Sequence, residues 1–210
     1  MRILAFGDSI TQGFFDKDGG WVNRLREYFD SIKIQNNDLS QPTVFNMGIS
    51  GDFTSSVLSR AENETKARKW PGEDFIFILA IGTNDTLYRG DEYESTPKQY
   101  REELNKIYQI LKKYSQKFLL VGLFPVVDRL VQPLPVSETG KCYSTERMKS
   151  FDETLRNFCK DNSLPYVDIW QKFEEHPDLE ELLFDGVHPN DKGHKLIFET
   201  IRPELEEMLE

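Results

Sequence analysis

Asp74-Phe75-Ile76-Phe77-Ile78-Leu79-Ala80-Ile81 is an apolar run followed at once by Gly82-Thr83-Asn84-Asp85. A run of this length, apolar at successive positions rather than alternating, predicts a strand buried on both faces, as in a parallel sheet. Its polar tail then lies at the carboxyl end of the strand, where open α/β sheets place their ligands. The same grammar recurs on either side. Arg2–Phe6 runs into Gly7-Asp8-Ser9, and Thr43–Asn46 runs into Met47-Gly48. Lys117–Leu123 and Pro165–Asp168 complete a set of five predicted strands.

Helical spacing separates these runs. Trp21, Val22, Leu25, Tyr28, Phe29 and Ile32 recur at intervals of three and four, as do Tyr100, Leu104, Ile107, Ile110 and Leu111. Phe151, Leu155 and Phe158 repeat the pattern, and so do Leu196, Ile197, Thr200 and Ile201. Strands alternating with such helices imply βαβ units with right-handed crossovers and helices on both faces. The expected architecture is a three-layer α/β/α sandwich around a five-stranded parallel sheet, as one domain over residues 1–210. Two long irregular stretches, Thr86–Thr96 and Phe124–Ser144, leave carboxyl ends of strands. Each reads either as a wall or lid of a pocket or as a loop packed on its own apolar side chains.

The chain of 210 residues carries a net charge of −10, with 36 acidic against 26 basic residues. That balance argues against nucleic acid or an anionic membrane as partner, since both demand a basic footprint. The C-terminal Glu204-Leu205-Glu206-Glu207-Met208-Leu209-Glu210 supplies part of it, as the solvated face of a helix. No apolar run approaches the ~20 residues that span a bilayer. The apolar segment after Met1-Arg2 ends at Gly7 and does not read as a secretory signal, so a cytoplasmic protein without integral membrane association is expected. The two cysteines, Cys142 and Cys159, form neither a disulfide framework nor a metal-ligand pattern, and a structural or incidental role is expected for both.

The polar tails supply the parts of an acyl-transfer site. A serine hydroxyl is a weak nucleophile until a base takes its proton. Ser9 is the candidate, with Asp8 expected to accept turn amides rather than react. Alone, Ser9 could equally cap the first helical turn. Three histidines are present. His176 sits in an acidic loop and His194 inside the last helical pattern. His188 follows Asp185 by three residues in Asp185-Gly186-Val187-His188-Pro189. A carboxylate at that spacing can reach one imidazole nitrogen, fix its tautomer and stabilise the imidazolium. Separately, His188 could merely start a helix at Pro189 and Asp185 could merely form a turn; their pairing favours catalysis. The oxyanion of a tetrahedral intermediate needs preorganised donors. The Asn84 side chain, the Gly48 N–H and the Ser9 N–H are placed to supply them, although Asn and Gly are also ordinary turn residues.

In order along the chain, Gly7-Asp8-Ser9, Asn46-Met47-Gly48, Gly82-Thr83-Asn84-Asp85 and Asp185–His188 resemble the motif blocks of the SGNH/GDSL hydrolases. The resemblance runs from Ala5 to Gly193. Ile10 stands where the family motif has Leu, a volume-conserving change at a core-facing position. The resemblance implies a flavodoxin-like fold and an esterase or deacylase with catalytic Ser9, Asp185 and His188. It also implies an oxyanion hole of Ser9, Gly48 and Asn84, with neither metal nor cofactor. The expected substrate is a small-molecule ester of a small or medium acyl group, with the apolar Val126–Leu134 stretch favouring an acyl or aryl group. O-deacetylation of acetylated carbohydrates is the alternative, with Trp21 and Trp70 as conceivable sugar platforms; thioester or lysophospholipid hydrolysis is a further option. A flavodoxin-like binding module without catalysis would want a glycine-rich phosphate loop before a helix, which Gly7–Gly13 does not provide.

Overall fold

The computed structural model describes residues 1–135 and 139–209. Its elements follow the order β1 (Arg2–Gly7), α1 (Ser9–Gln12), α2 (Gly20–Asn36), β2 (Thr43–Gly48), α3 (Thr54–Ala67), β3 (Phe75–Ala80), β4 (Tyr88–Arg89), β5 (Glu92–Tyr93), α4 (Pro97–Leu111), β6 (Lys117–Val121), α5 (Thr145–Asn162), β7 (Tyr166–Val167), α6 (Ile169–Glu174) and α7 (Asp191–Glu207). Five strands form one parallel sheet in the order β2-β1-β3-β6-β7. Counting those strands alone, this is the 2-1-3-4-5 order of flavodoxin-like folds, which the family resemblance implies, and the five parallel strands are those read from the apolar runs.

Alternation along each strand explains the three layers. Leu4 and Phe6 of β1, with Phe75, Phe77 and Leu79 of β3, pack toward α3, α4 and α5. Ile3 and Ala5, with Ile76 and Ile78, point the other way, toward α2 and α7. Both faces are covered, so β1 and β3 read as near-continuous apolar runs. Among the longer helices, α3 shows no helical spacing of large apolar residues. Its buried positions are Thr54, Val57, Ala61 and Thr65, too small and polar to show as an apolar stripe. Helix α4 starts where its sequence directs: Thr96 and Gln99 form a reciprocal capping box, with Pro97 in the first turn. Pro189 does not start α7. Asn190 is the cap, accepting from the N–H groups of Lys192 and Gly193, so Pro189 lies just outside the helix.

The two long stretches are more ordered than irregular loops. Thr86–Thr96 contains the β4–β5 hairpin. Tyr88 and Cys142 exchange backbone hydrogen bonds of 3.1 and 2.9 Å, tying the two stretches together. In Phe124–Ser144, the side chains of Val126, Val131 and Leu134 are buried in the core beside α4 and α5. They pack inward, whereas Val127 and Leu130 of the same stretch stay half-buried, Leu130 against Gly186 of the loop that carries Asp185 and His188; residues 136–138 lie outside the described part. Cys159 is buried, which pushes its thiol up to about 12, and Cys142 is half-buried, in line with structural or incidental roles.

Candidate active site

Strand register decides where the polar tails meet. Gly7 pairs with Gly48 on one side and with Ala80 on the other, so three strands end level. Ser9 is the first residue of α1, directly beyond β1, and its N–H therefore has no intrahelical acceptor. Asp8 caps this turn, its Oδ1 accepting from Ile10 N–H at 2.9 Å. Burial pushes the Asp8 carboxyl up to about 6, against that hydrogen bond. The turn lies so close to β2 that a Cβ on Gly48 would stand 2.2 Å from Gln12 N and 2.7 Å from the Thr11 carbonyl carbon. Only glycine admits this approach. Ile10 is buried in the core, as expected for its position.

Asp185 and His188 come from the loop before α7. Ser9 Oγ lies 3.0 Å from His188 Nε2, across 179 residues of chain. His188 Nδ1 lies 2.8 Å from Asp185 Oδ2. Asp185 Oδ1 also accepts from the backbone N–H groups of His188 (2.9 Å) and Val187 (3.1 Å). Burial alone would raise this carboxyl. The hydrogen bonds from His188 and Val187 outweigh burial and hold it below the usual carboxylate value. With Nδ1 donating to a carboxylate, Nε2 faces Ser9 as an acceptor. The other two histidines lie elsewhere. His194 is fully buried and its Nε2 bonds Phe14 O at 2.9 Å, while His176 Nδ1 lies 2.7 Å from Asp178 O.

Asn84 reaches the same edge from the turn after β3. Its Nδ2 donates to Asp52 O at 3.0 Å, and its Oδ1 accepts from Tyr143 Oη at 3.0 Å. Those two bonds set which end of the amide is nitrogen and leave the second Nδ2 proton available. The next residue, Asp85, is buried and accepts from Thr54 N–H (3.0 Å) and Thr54 Oγ1 (3.1 Å). Burial pushes its carboxyl up to about 7, opposed by both Thr54 contacts. Asp85 thus ties the turn that carries Asn84 to the start of α3, next to Asp52. Gly48 N–H donates to Asn46 Oδ1 at 2.9 Å, so it must be shared or released to serve a substrate oxygen.

Several neighbours of the site carry no motif. Tyr143 is brought beside Asn84 by the Tyr88–Cys142 bridge, a contact that no local pattern announces. Phe14, Phe15 and Phe184 are 38%, 43% and 63% exposed, unusual for side chains of this size; the first two lie against His188 and Phe184 stacks on Phe15. Their only sequence signal is adjacency to the motifs, in Gly13-Phe14-Phe15 and Phe184-Asp185. Trp21, in the first turn of α2, is buried against the sheet, and Trp70 stacks on Arg2 at the opposite end of β1, so neither is exposed at the site. Among the described residues, no three His, Cys, Asp or Glu side chains are grouped as a metal ion would need, and no helix is long and apolar enough to cross a membrane.

A hydroxyl, an imidazole and a carboxylate in line at the carboxyl edge of a parallel α/β sheet suit acyl transfer, and the comparisons with known proteins make the chain a carboxylic ester hydrolase. The chain belongs to the GDSL-like lipase/acylhydrolase family, whose model matches residues 3–201. It is 26% identical to a GDSL esterase/lipase of Arabidopsis thaliana, over 98% of this chain and 86% of that protein. It is 27% identical to the human isoamyl acetate-hydrolyzing esterase 1 homolog, over 98% of this chain and 81% of that one. The crystal structure of a lipase/acylhydrolase from Enterococcus faecalis shares the fold with a TM-score of 0.76 at 24% identity, covering 100% of this chain and 97% of that one.

Proposed function

We propose that this enzyme cleaves carboxylic esters of small or medium acyl groups through an acyl-enzyme on Ser9. His188, oriented by Asp185, takes the Ser9 proton as Oγ attacks the ester carbonyl. The oxyanion is met by Ser9 N–H, the free Nδ2 proton of Asn84 and Gly48 N–H once that group turns from Asn46. His188 then delivers its proton to the leaving alcohol. Water then attacks the acyl carbonyl as the imidazole accepts its proton, and His188 returns that proton to Ser9 Oγ as the acyl–oxygen bond breaks and the acid departs. The observation that carries this reading is the continuous path from Ser9 Oγ through both ring nitrogens of His188 to Asp185, with contacts of 3.0 and 2.8 Å. The net charge of −10 supports a small ester rather than a polyanion as substrate. The name of the human relative supports an acetate-sized acyl group.

A fluorophosphonate should add one mass label at Ser9. Ser9→Ala should lose the label and at least ~10³-fold of p-nitrophenyl acetate turnover. Equal turnover in the two proteins would remove the acyl-enzyme.

A further inference from the structure

We infer that Phe14, Phe15 and Phe184 form an aromatic platform for the alcohol side of the ester, so that the enzyme selects substrates with an apolar leaving group. The inference rests on the acyl-enzyme reading, because that reading fixes which side of the carbonyl faces His188. In the tetrahedral intermediate the oxyanion points to Asn84 and Ser9 N–H. The leaving oxygen must lie within hydrogen-bond reach of His188 Nε2 to receive its proton. The first carbons of the alcohol are therefore held next to the imidazole. The Phe15 ring stands edge-on to that imidazole with centroids 5.3 Å apart, and Phe14 lies 6.3 Å away. Phe184 extends the surface, stacked on Phe15 at 4.1 Å and 9°.

This surface is built rather than incidental. Phe15 has φ 61°, a left-handed conformation that a bulky side chain rarely adopts. The turn that imposes it is held from several sides. Phe14 N–H donates to Ser9 O at 3.1 Å, and Phe14 O accepts from His194 at 2.9 Å. The buried Asp16 is paired with Arg24 at 2.8 Å. Phe184 is held as firmly, its N–H donating to His188 O at 2.7 Å. Strain that persists under such constraint is typical of functional sites. Here its effect is to keep an apolar ring in water beside the imidazole, where an alkyl or aryl alcohol would cover it.

The test is a pair of ester series measured as kcat/KM in wild type, Phe184→Ala and Phe15→Asn, the last chosen because Asn tolerates a positive φ. Burying a methylene on one open face should favour binding by about twofold, half the free energy of full burial. Hexyl acetate should therefore exceed ethyl acetate by ~10-fold in wild type and by only ~3-fold in either variant. Each ratio is taken within one protein, so the fraction folded cancels. A ratio that is flat in wild type, or unaltered in both variants, would overturn the platform. So would variants that lower the ratio of ethyl hexanoate to ethyl acetate while sparing the alcohol ratio, since the rings would then hold the acyl group. A wild-type dimer that Phe184→Ala splits would put a second copy of the chain on these rings, with the same consequence. Absence of Ser9-dependent ethyl acetate hydrolysis would instead refute the acyl-enzyme, a separate failure.

Discussion

Tyr143→Phe removes one hydroxyl that touches neither the nucleophile nor the base, and it should nevertheless slow the chemical step. Tyr143 Oη donates to Asn84 Oδ1 at 3.0 Å, and the opposite end of that amide donates to Asp52 O at 3.0 Å. Tyr143 is only 4% exposed, so its hydroxyl is fixed by the surrounding core. Without it the Asn84 amide is held at one end only and can turn its oxygen toward the substrate. A neutral hydrogen bond is worth about 0.5–1.5 kcal/mol net, which corresponds to a loss of roughly 2–13-fold in kcat. Deleting the donor outright is worth more: Asn84→Ala should lower kcat by ~10²–10³-fold. If Tyr143 is a positioning residue acting through Asn84, the double variant should be no slower than Asn84→Ala alone. The coupling would be about 1 kcal/mol, well above the usual error of such cycles. KM for a short ester should stay level while kcat falls, which a mere loss of packing would not produce. The assay is steady-state hydrolysis of p-nitrophenyl acetate by the four proteins of the cycle. Strictly additive losses, or a change confined to KM, would refute the positioning role.

Two further predictions concern stability. Asp85 is raised to about 7 and Asp8 to about 6 from an ordinary value of 3.8, both by burial. The folded state thus binds their protons more tightly than the unfolded chain does, so their contribution to stability is full below pH ~4 and is lost as pH rises through the folded values, at up to about 1.4 kcal/mol per pH unit for each group. Asp85→Asn cannot lose a proton, and its stability by urea titration should decline less steeply between pH 4 and 7; identical slopes would show that Asp85 ionises normally. Gly48→Ala should cost on the order of 1–3 kcal/mol, because its Cβ would meet backbone atoms of Thr11 and Gln12 rather than a yielding side chain. Its kcat should fall as well, since the displaced turn carries Ser9; an unchanged denaturation midpoint would contradict the close approach.

Local pattern was sufficient for much of this molecule. Apolar runs and helical spacing reported the five parallel strands and four of the longer helices, because period and burial are written residue by residue. Asp185 and His188 were legible together because three residues suffice to bring a carboxylate to an imidazole nitrogen. His188 comes from the loop before α7, so no strand end announces its encounter with Ser9; the 3.0 Å contact is decided by the tertiary fold. Helix α3 carries no legible stripe because Thr54, Ala61 and Thr65 bury little apolar surface. Pairing across distant chain decided the rest. The Tyr88–Cys142 bridge delivers Tyr143 to Asn84, the turn at Thr11 and Gln12 closes on Gly48, and core packing draws Val126, Val131 and Leu134 inward. The same packing leaves Phe14, Phe15 and Phe184 in the open beside His188. A residue's type tells what it can bury or donate; which partner it meets is set by the folding of segments that no local period relates.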